Sequence, residues 1–360
     1  MTGFRGKFAG MALLLSGTGL AGLLFSPLAI AAEGLAAGNP RTAVLKPGSG
    51  TYIDGHTHID QNHAEEAVML LLRALDGLNG AKAFIQTEPY GPGNPGAWDV
   101  EMILPAVKKH PDKLAVLGGG GTLNPMILEA YQTGNAGPEV QKKFRARAED
   151  ILRQGAVGFG ELSIEHFSLP QSPVKDYEYA PADSPLMLLL ADIAAEHNVP
   201  IDLHMEALPQ DIPTPAELKP PNPPTLHGNI AAFERLLAHN RGTKLIWAHA
   251  GSDNVGYRTP ELSRRLLQAH SNLYMEIKYD PGFPGKDPPI VDGKLKPEWL
   301  KLYQDYPDRF LIGSDQHFDP PATVALARAQ QNALLLDQLP EGLRKKIAME
   351  NPLRLYGSPR

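Results

Sequence analysis

The sequence contains no cysteine among its 360 residues. This absence excludes a disulfide framework and a lipoprotein anchor. The chain also lacks blocks of like charge, a basic stripe and a short-period repeat, which argues against nucleic-acid binding and a solenoid. Its net charge of −6 disfavours contact with a phosphate backbone. We therefore expect a small-molecule substrate and no nucleic-acid partner.

The N-terminus carries two basic residues followed by a long apolar run. Arg5 and Lys7 precede the run over residues 11–30, which ends at the small residue Ala31. This order predicts a secretory signal peptide over residues 1–31. Because the run is near the length that spans a bilayer, a retained membrane anchor is the alternative. Cleavage leaves 329 residues with a net charge of −8, and we expect a periplasmic or secreted protein that does not contact the membrane. The sequence leaves open whether the protein forms a homo-oligomer.

Beyond a lead segment rich in Gly, Ala and Pro over residues 32–50, short β-rich runs alternate with amphipathic helical patterns. The predicted strand cores are residues 52–54, 83–85, 114–117, 157–159, 201–203, 245–247, 273–275 and 310–312. The predicted helices include residues 63–78, 138–154, 184–197, 229–240, 260–270 and 297–306. Strict alternation indicates a parallel sheet with helical crossovers. Eight units, with no Gly-rich dinucleotide fingerprint after the first strand, predict an α/β fold, a single-domain (β/α)8 TIM barrel over residues 51–357.

Long connections rich in Pro and Gly follow several of the predicted strands. They cover residues 88–97, 164–183, 207–228 and 281–296. In a barrel, the carboxyl ends of all strands share one face, and active sites are built there. These connections therefore predict a substrate site at that face, with tolerated insertions as the alternative.

Histidines and a carboxylate stand at the ends of four predicted strands. His56 and His58 are two residues apart, so strand alternation points both inward. His204, His249 and Asp315 end three later apolar runs. Any one histidine taken alone would be assigned to the core. Together, imidazole and carboxylate ligands of this number suit Zn²⁺ or a similar divalent ion.

With this pattern the sequence resembles the amidohydrolase superfamily, which carries H-x-H on the first barrel strand, histidines on the fifth and sixth, and aspartate on the eighth. The closing segment, residues 351–357, also resembles the ending of the amidohydrolase-related branch. Members with two metals usually carry a bridging carboxylate on the fourth strand, often a carboxylated lysine. No lysine lies between Ala156 and Ser163; Gly160-Glu161 stands there instead and is similar to the TatD-like deoxyribonucleases, in which glutamate bridges two ions.

The resemblance implies a hydrolase with one or two divalent ions, in which Asp315 accepts a proton from the attacking water. The predicted reaction is cleavage of an ester, lactone or amide in a small molecule. A single-metal decarboxylase, in which His249 leaves the metal and helps catalysis, is the first alternative. A non-catalytic solute-binding protein is the second, and TatD-like nuclease action is disfavoured by the acidic charge. Two further alternatives stay open. Glu161 could be a salt-bridge partner at the barrel rim, and Asp315 could be a metal ligand without a role in proton transfer.

Other residues carry weaker predictions. Lys278 and Tyr279 end the seventh predicted strand, where the ammonium could bind an anionic substrate group or pair with a nearby glutamate. Trp247 is expected to face the same side as His249 and to serve as packing. Asp54 is expected to orient a ligand imidazole from below the metal. Arg258 and His317 lie on loops at the metal face; surface positions are expected for both, with a place in the pocket lining as the alternative.

Overall fold

Eight parallel strands alternate with helices in the order that the sequence predicts. The computed structural model describes residues 50–169, 177–218, 221–250, 252–282, 285–320 and 326–357. The predicted signal peptide and all of the predicted lead segment except Gly50 lie outside these residues. The strands are β1 Tyr52–Ile59, β2 Gly80–Gln86, β3 Leu114–Gly119, β4 Phe159–His166, β5 Pro200–Met205, β6 Lys244–Ala250, β7 Leu273–Ile277 and β8 Phe310–Ile312.

The strands close into a ring. Each of β1 to β8 pairs in parallel with its neighbours in chain order. A short strand directly after β8, Gln316–Phe318, pairs in parallel with β1. Because this strand continues from β8 after a three-residue interruption, it joins the last strand of the sheet to the first. The predicted (β/α)8 TIM barrel is confirmed.

All six predicted helices are present, with ends within two residues of those expected. The α-helices are Ala64–Leu78, Leu104–Val107, Leu123–Thr133, Pro138–Gln154, Pro185–Glu196, Ile230–His239, Pro260–Ala269, Pro297–Asp305, Ala327–Leu336, Glu341–Lys345 and Asn351–Tyr356. Four of them begin with proline, whose fixed φ suits the first helical turn. Among the described residues, no helix combines the length and apolar character needed to cross a membrane.

Two-stranded hairpins occur in two of the long connections. One pairs Ile212–Pro213 with Thr225–Leu226, and the other pairs Ile290–Val291 with Lys294–Leu295. Glu178–Tyr179 in a third connection pairs with the end of β4. The described parts of these long connections therefore contain some regular structure, as expected of segments that shape a pocket.

The core has two main parts, and a small third cluster with Phe167 and Leu226 lies among the long connections. The larger one lies between the barrel and the helices around it. The smaller one fills the inside of the barrel, with Ile53, Phe84, Ile246 and Leu311 as members. The C-terminal helix contributes Tyr356 to this inner core: its ring lies 3.9 Å from that of Phe84 and its hydroxyl donates to the Gly55 carbonyl. The closing segment recognised in the sequence thus packs into the barrel end opposite the site described next.

Candidate metal centre

The structure brings all six predicted metal ligands together at the carboxyl end of the barrel. His56 and His58 lie in β1, and Glu161, His204 and His249 lie in β4, β5 and β6. Asp315 follows β8 directly, and its backbone N–H donates to the His56 carbonyl at 2.8 Å. All except His204 are buried. Their roles as ligands stay predictions, but their placement is that required by the metal hypothesis.

Four donor atoms form a first group. His56 Nε2 and His58 Nε2 are 3.1 Å apart, and Glu161 Oε2 lies 3.6 and 3.4 Å from them. Asp315 Oδ1 lies 3.2 Å from His58 Nε2 and 3.9 Å from His56 Nε2. Ligand atoms around a tetrahedral zinc, at about 2.0–2.1 Å from the ion, are about 3.4 Å from one another. The spacing of the two β1 imidazoles and Glu161 therefore suits one divalent ion, and Asp315 lies within reach of both imidazoles.

A second donor group uses the other oxygen of Glu161. Glu161 Oε1 lies 2.8 Å from His204 Nδ1 and 3.0 Å from His249 Nε2. The three atoms lie within 4.8 Å of one another. Glu161 therefore presents one oxygen to each of two groups, the arrangement of a carboxylate shared by two ions.

The hydrogen bonds of the β1 histidines leave both Nε2 atoms able to bind a cation. His58 Nδ1 lies 3.1 Å from the Gln86 carbonyl oxygen, which only accepts, so this nitrogen donates. His56 Nδ1 likewise lies 2.9 Å from a carboxylate oxygen of Glu276. In the neutral rings, both Nε2 atoms then carry lone pairs that face each other and Glu161. A cation between them removes this repulsion, so the residues present fit a divalent ion.

The electrostatics of the centre agree with this fit. Burial alone would raise the pKa of Glu161, but hydrogen bonds with His204, His249 and His56 outweigh it and hold that pKa well below its usual range. Burial lowers the pKa of His249 well below its ordinary value, and Lys278 lowers it further. Glu161 is therefore ionised, and His249 is neutral, with a lone pair available for a metal ion.

One buried carboxylate that the sequence analysis had not assigned to the centre supports its imidazoles from below. Glu276 of β7 contacts His56 Nδ1 at 2.9 Å and lies 3.3 Å from His249 Nδ1. Carboxylates in this position fix the ring orientation of metal-binding histidines. A lone acid between Met275 and Ile277, at an inward position of an apolar strand, is the sequence signal that could have revealed it.

Asp54 was expected to do this work, and that expectation was wrong. Its Oδ1 accepts from the backbone N–H groups of Ser314 and His56, at 2.9 and 3.3 Å. Asp54 therefore ties β1 to the segment after β8 through the backbone and supports no ring, because the alternation of β1 is interrupted between Asp54 and Thr57.

The two predicted substrate-binding residues have different positions. Lys278 lines the cavity above the centre, but its ammonium pairs with Asp315 Oδ2. Arg328 contacts the same oxygen at 3.2 Å. Tyr279 packs against the hydrophobic core, and its backbone N–H donates to Asn332. The structure therefore does not bring Tyr279 into the cavity.

Two further expectations were wrong in part: Trp247 serves as packing, as expected, but on the other side of the strand, and Arg258 is buried. Trp247 packs on the helix side of the barrel against Phe233, at 5.1 Å between ring centres, while His249 points inward. His249 has a φ of +64°, which breaks the two-residue alternation. Arg258 is buried, with its guanidinium 4.3 Å from the centre of the Trp247 ring and bonded to the Ala248 and Met205 carbonyls.

A cavity of about 970 Å³ opens above the centre. Residues 88–95 of the first long connection form one wall, and Glu206, Arg258, Lys278 and Arg328 contribute to the others. This volume suits a small molecule.

Comparison with known proteins identifies one matching family. The family model described as Amidohydrolase matches residues 134–358. No curated protein matches the chain. Similar solved structures include a probable 2-pyrone-4,6-dicarboxylic acid hydrolase from Acinetobacter baumannii (14% identity, 85% of this chain and 99% of that chain, TM-score 0.47). Others are amidohydrolase 2 from Bifidobacterium longum subsp. infantis (14%, 86% and 100%, 0.43) and a uronate isomerase from Bacillus halodurans C-125 (12%, 81% and 68%, 0.48).

The family match covers more than half of the chain and includes β4 to β8, with four of the six predicted ligands. The buried His and Glu groups could hold a divalent metal ion. The chain belongs to the amidohydrolase family and is an enzyme of that superfamily.

Proposed function

We propose that this protein is a binuclear metal-dependent hydrolase that cleaves an ester, lactone or amide bond in a small molecule. The observation that carries the proposal is the position of Glu161, whose two oxygens face two separate donor groups. His56, His58 and Asp315 would hold one ion, and His204 and His249 the other. Zinc is the proposed metal because each ion would be held by a few imidazole and carboxylate donors.

When bound, the ions lower the pKa of a water molecule and polarise the scissile carbonyl. Asp315 receives the proton of the attacking water and returns it to the leaving group. Burial alone would raise the pKa of Asp315, but Lys278 and His249 hold it well below its usual range, so the residue is ionised before the reaction. The cavity walls limit the substrate to a small molecule, and export from the cytoplasm stays a prediction from residues 1–31.

The test is the metal content of the wild type and of Glu161→Gln. We expect two ions per wild-type chain, and at most one in the variant, because an amide cannot bridge two cations as a carboxylate does. Glu178→Gln is the matched control: Glu178 lines the same cavity but belongs to none of the donor groups found among the described residues.

Two outcomes would replace the proposal. One ion per wild-type chain, with the same content in Glu161→Gln, would favour the single-metal decarboxylase. Two ions without turnover of any ester, lactone or amide in a broad panel would favour a solute-binding protein.

A further inference from the structure

A third group of donor atoms lies where the centre faces the cavity. It consists of His58 Nε2, Asp315 Oδ1 and a ring nitrogen of His317, all within 4.8 Å of one another. His317 lies in the short strand Gln316–Phe318, where its Cα is the register partner of His58 in β1. The sheet therefore fixes the backbone of His317 beside a predicted ligand, although the residue had been expected at the surface.

The distances within this group suit donors that share a cation. His317 Nε2 lies 3.8 Å from Asp315 Oδ1, which is too long for a hydrogen bond. The rings of His58 and His317 have centres 4.5 Å apart, with an angle of 28° between their planes. Two imidazoles bound to one ion at a right angle, with N–metal distances of about 2.1 Å, have ring centres about 4.6 Å apart.

The other ring nitrogen of His317 faces away from the centre. His317 Nδ1 lies 3.6 Å from Glu88 Oε1, a carboxylate on the cavity wall. A carboxylate beside Nδ1 favours the tautomer with its proton on that nitrogen, and Nε2 then carries the lone pair. The ring is therefore oriented with its donor atom toward Asp315.

We infer that His317 is a fifth donor to the ion position formed by His56, His58, Glu161 and Asp315. The inference rests on the proposed function. A lone pair serves one ion, so the His58 nitrogen cannot support a separate third position, and His317 joins the position that His58 already serves. The two ion positions are then unequal: the first has five protein donors, and the second has the three supplied by Glu161, His204 and His249.

The experiment is a zinc titration of chelator-stripped protein, comparing wild type with His317→Gln. We expect two classes of site in the wild type. In the variant, one class should weaken by at least about tenfold, the scale at which metal sites respond to loss of a supporting group. The other class should not change. His227→Gln is the matched control. The His227 ring also lies beside a carboxylate, 4.0 Å from Asp211, but it belongs to none of the donor groups found among the described residues.

A crystal structure of zinc-loaded wild-type protein gives a second, direct measurement. We expect His317 Nε2 within about 2.2 Å of an ion located by anomalous scattering. Zinc affinities in His317→Gln equal to those of the wild type, or a His317 Nε2 more than about 3 Å from both ions, would overturn the inference while leaving the binuclear proposal intact. A wild type that binds no zinc would overturn both.

Discussion

At the scale of single residues, Asp315 shows how its neighbours determine what one carboxylate can do. Its Oδ2 is held by Lys278 and by Arg328. Its Oδ1 faces His58 at 3.2 Å. The two oxygens therefore have separate partners, and only Oδ1 is directed at the metal centre. Arg328 also bonds the Asp315 carbonyl at 2.5 Å, so the backbone is held as well.

Replacing the acid with its amide tests the role of Asp315 as proton acceptor. Asp315→Asn keeps an oxygen that can face the ion, so metal content should change little. Its kcat should fall by about two to four orders of magnitude, the usual contribution of a positioned acid–base group. Steady-state kinetics beside elemental analysis make the measurement. If kcat is unchanged in fully loaded protein, Asp315 is not the proton acceptor.

Lys278 offers a test that separates positioning from substrate binding. Lys278→Met removes the charge but keeps much of the side-chain length. If Lys278 orients Asp315, kcat should fall by about tenfold to a hundredfold, with KM changed much less. The control is Lys286→Met, whose ammonium pairs with the exposed Glu217 at 2.7 Å. A raised KM with unchanged kcat would instead support the role in substrate binding that the sequence had suggested.

At the scale of secondary structure, the sequence predicted the elements well and the ends of the strands less well. Period-two and period-3.6 patterns are local, so eight strands and six helices could be placed from them. The interrupted register in β1 and the positive φ at His249 depend on contacts with neighbouring strands. Those contacts are distant in sequence, which is why the side chosen for Trp247 was wrong. The clustering of the six candidate ligands was predictable because five of them recur at matching strand ends and the resemblance pointed to Glu161.

The segment between β8 and the short closing strand offers a test at this scale. Gly313 lies against Glu276: a Cβ added at this glycine would come within 2.2 Å of the Glu276 carboxyl carbon. Gly313→Ala should therefore displace Glu276 from His56 and His249 and weaken metal binding by about ten- to a hundredfold. The measurement is the zinc dissociation constant.

Gly342→Ala is the matched control for this prediction. Gly342 lies in the helix Glu341–Lys345, and an added Cβ there would have no neighbour within 4 Å. We expect its metal affinity to equal that of the wild type. If Gly313→Ala also binds zinc as the wild type does, the contact with Glu276 does not tune the centre.

At the scale of the whole molecule, the centre joins strands from opposite sides of the barrel. Its carboxylates and imidazoles come from β1, β4, β5, β6 and the segment after β8. An ion bound only by the folded chain stabilises it by mass action, by about 2.7 kcal/mol for each ion at a hundredfold excess over its dissociation constant. Removing both ions with a chelator should therefore lower the melting temperature by several degrees or more.

The response of Glu161→Gln to a chelator is the sharper form of this prediction. Without ions, wild-type Glu161 keeps its hydrogen bonds with His204 and His249, which favour its charged form. The variant lacks that charge and should bind at most one ion. Its melting temperature should therefore change less on chelation than that of the wild type. Differential scanning calorimetry with and without chelator measures the change in each protein. If chelation lowers the melting temperature equally in the two proteins, Glu161 does not link ion binding to stability, because the ions are then held without it.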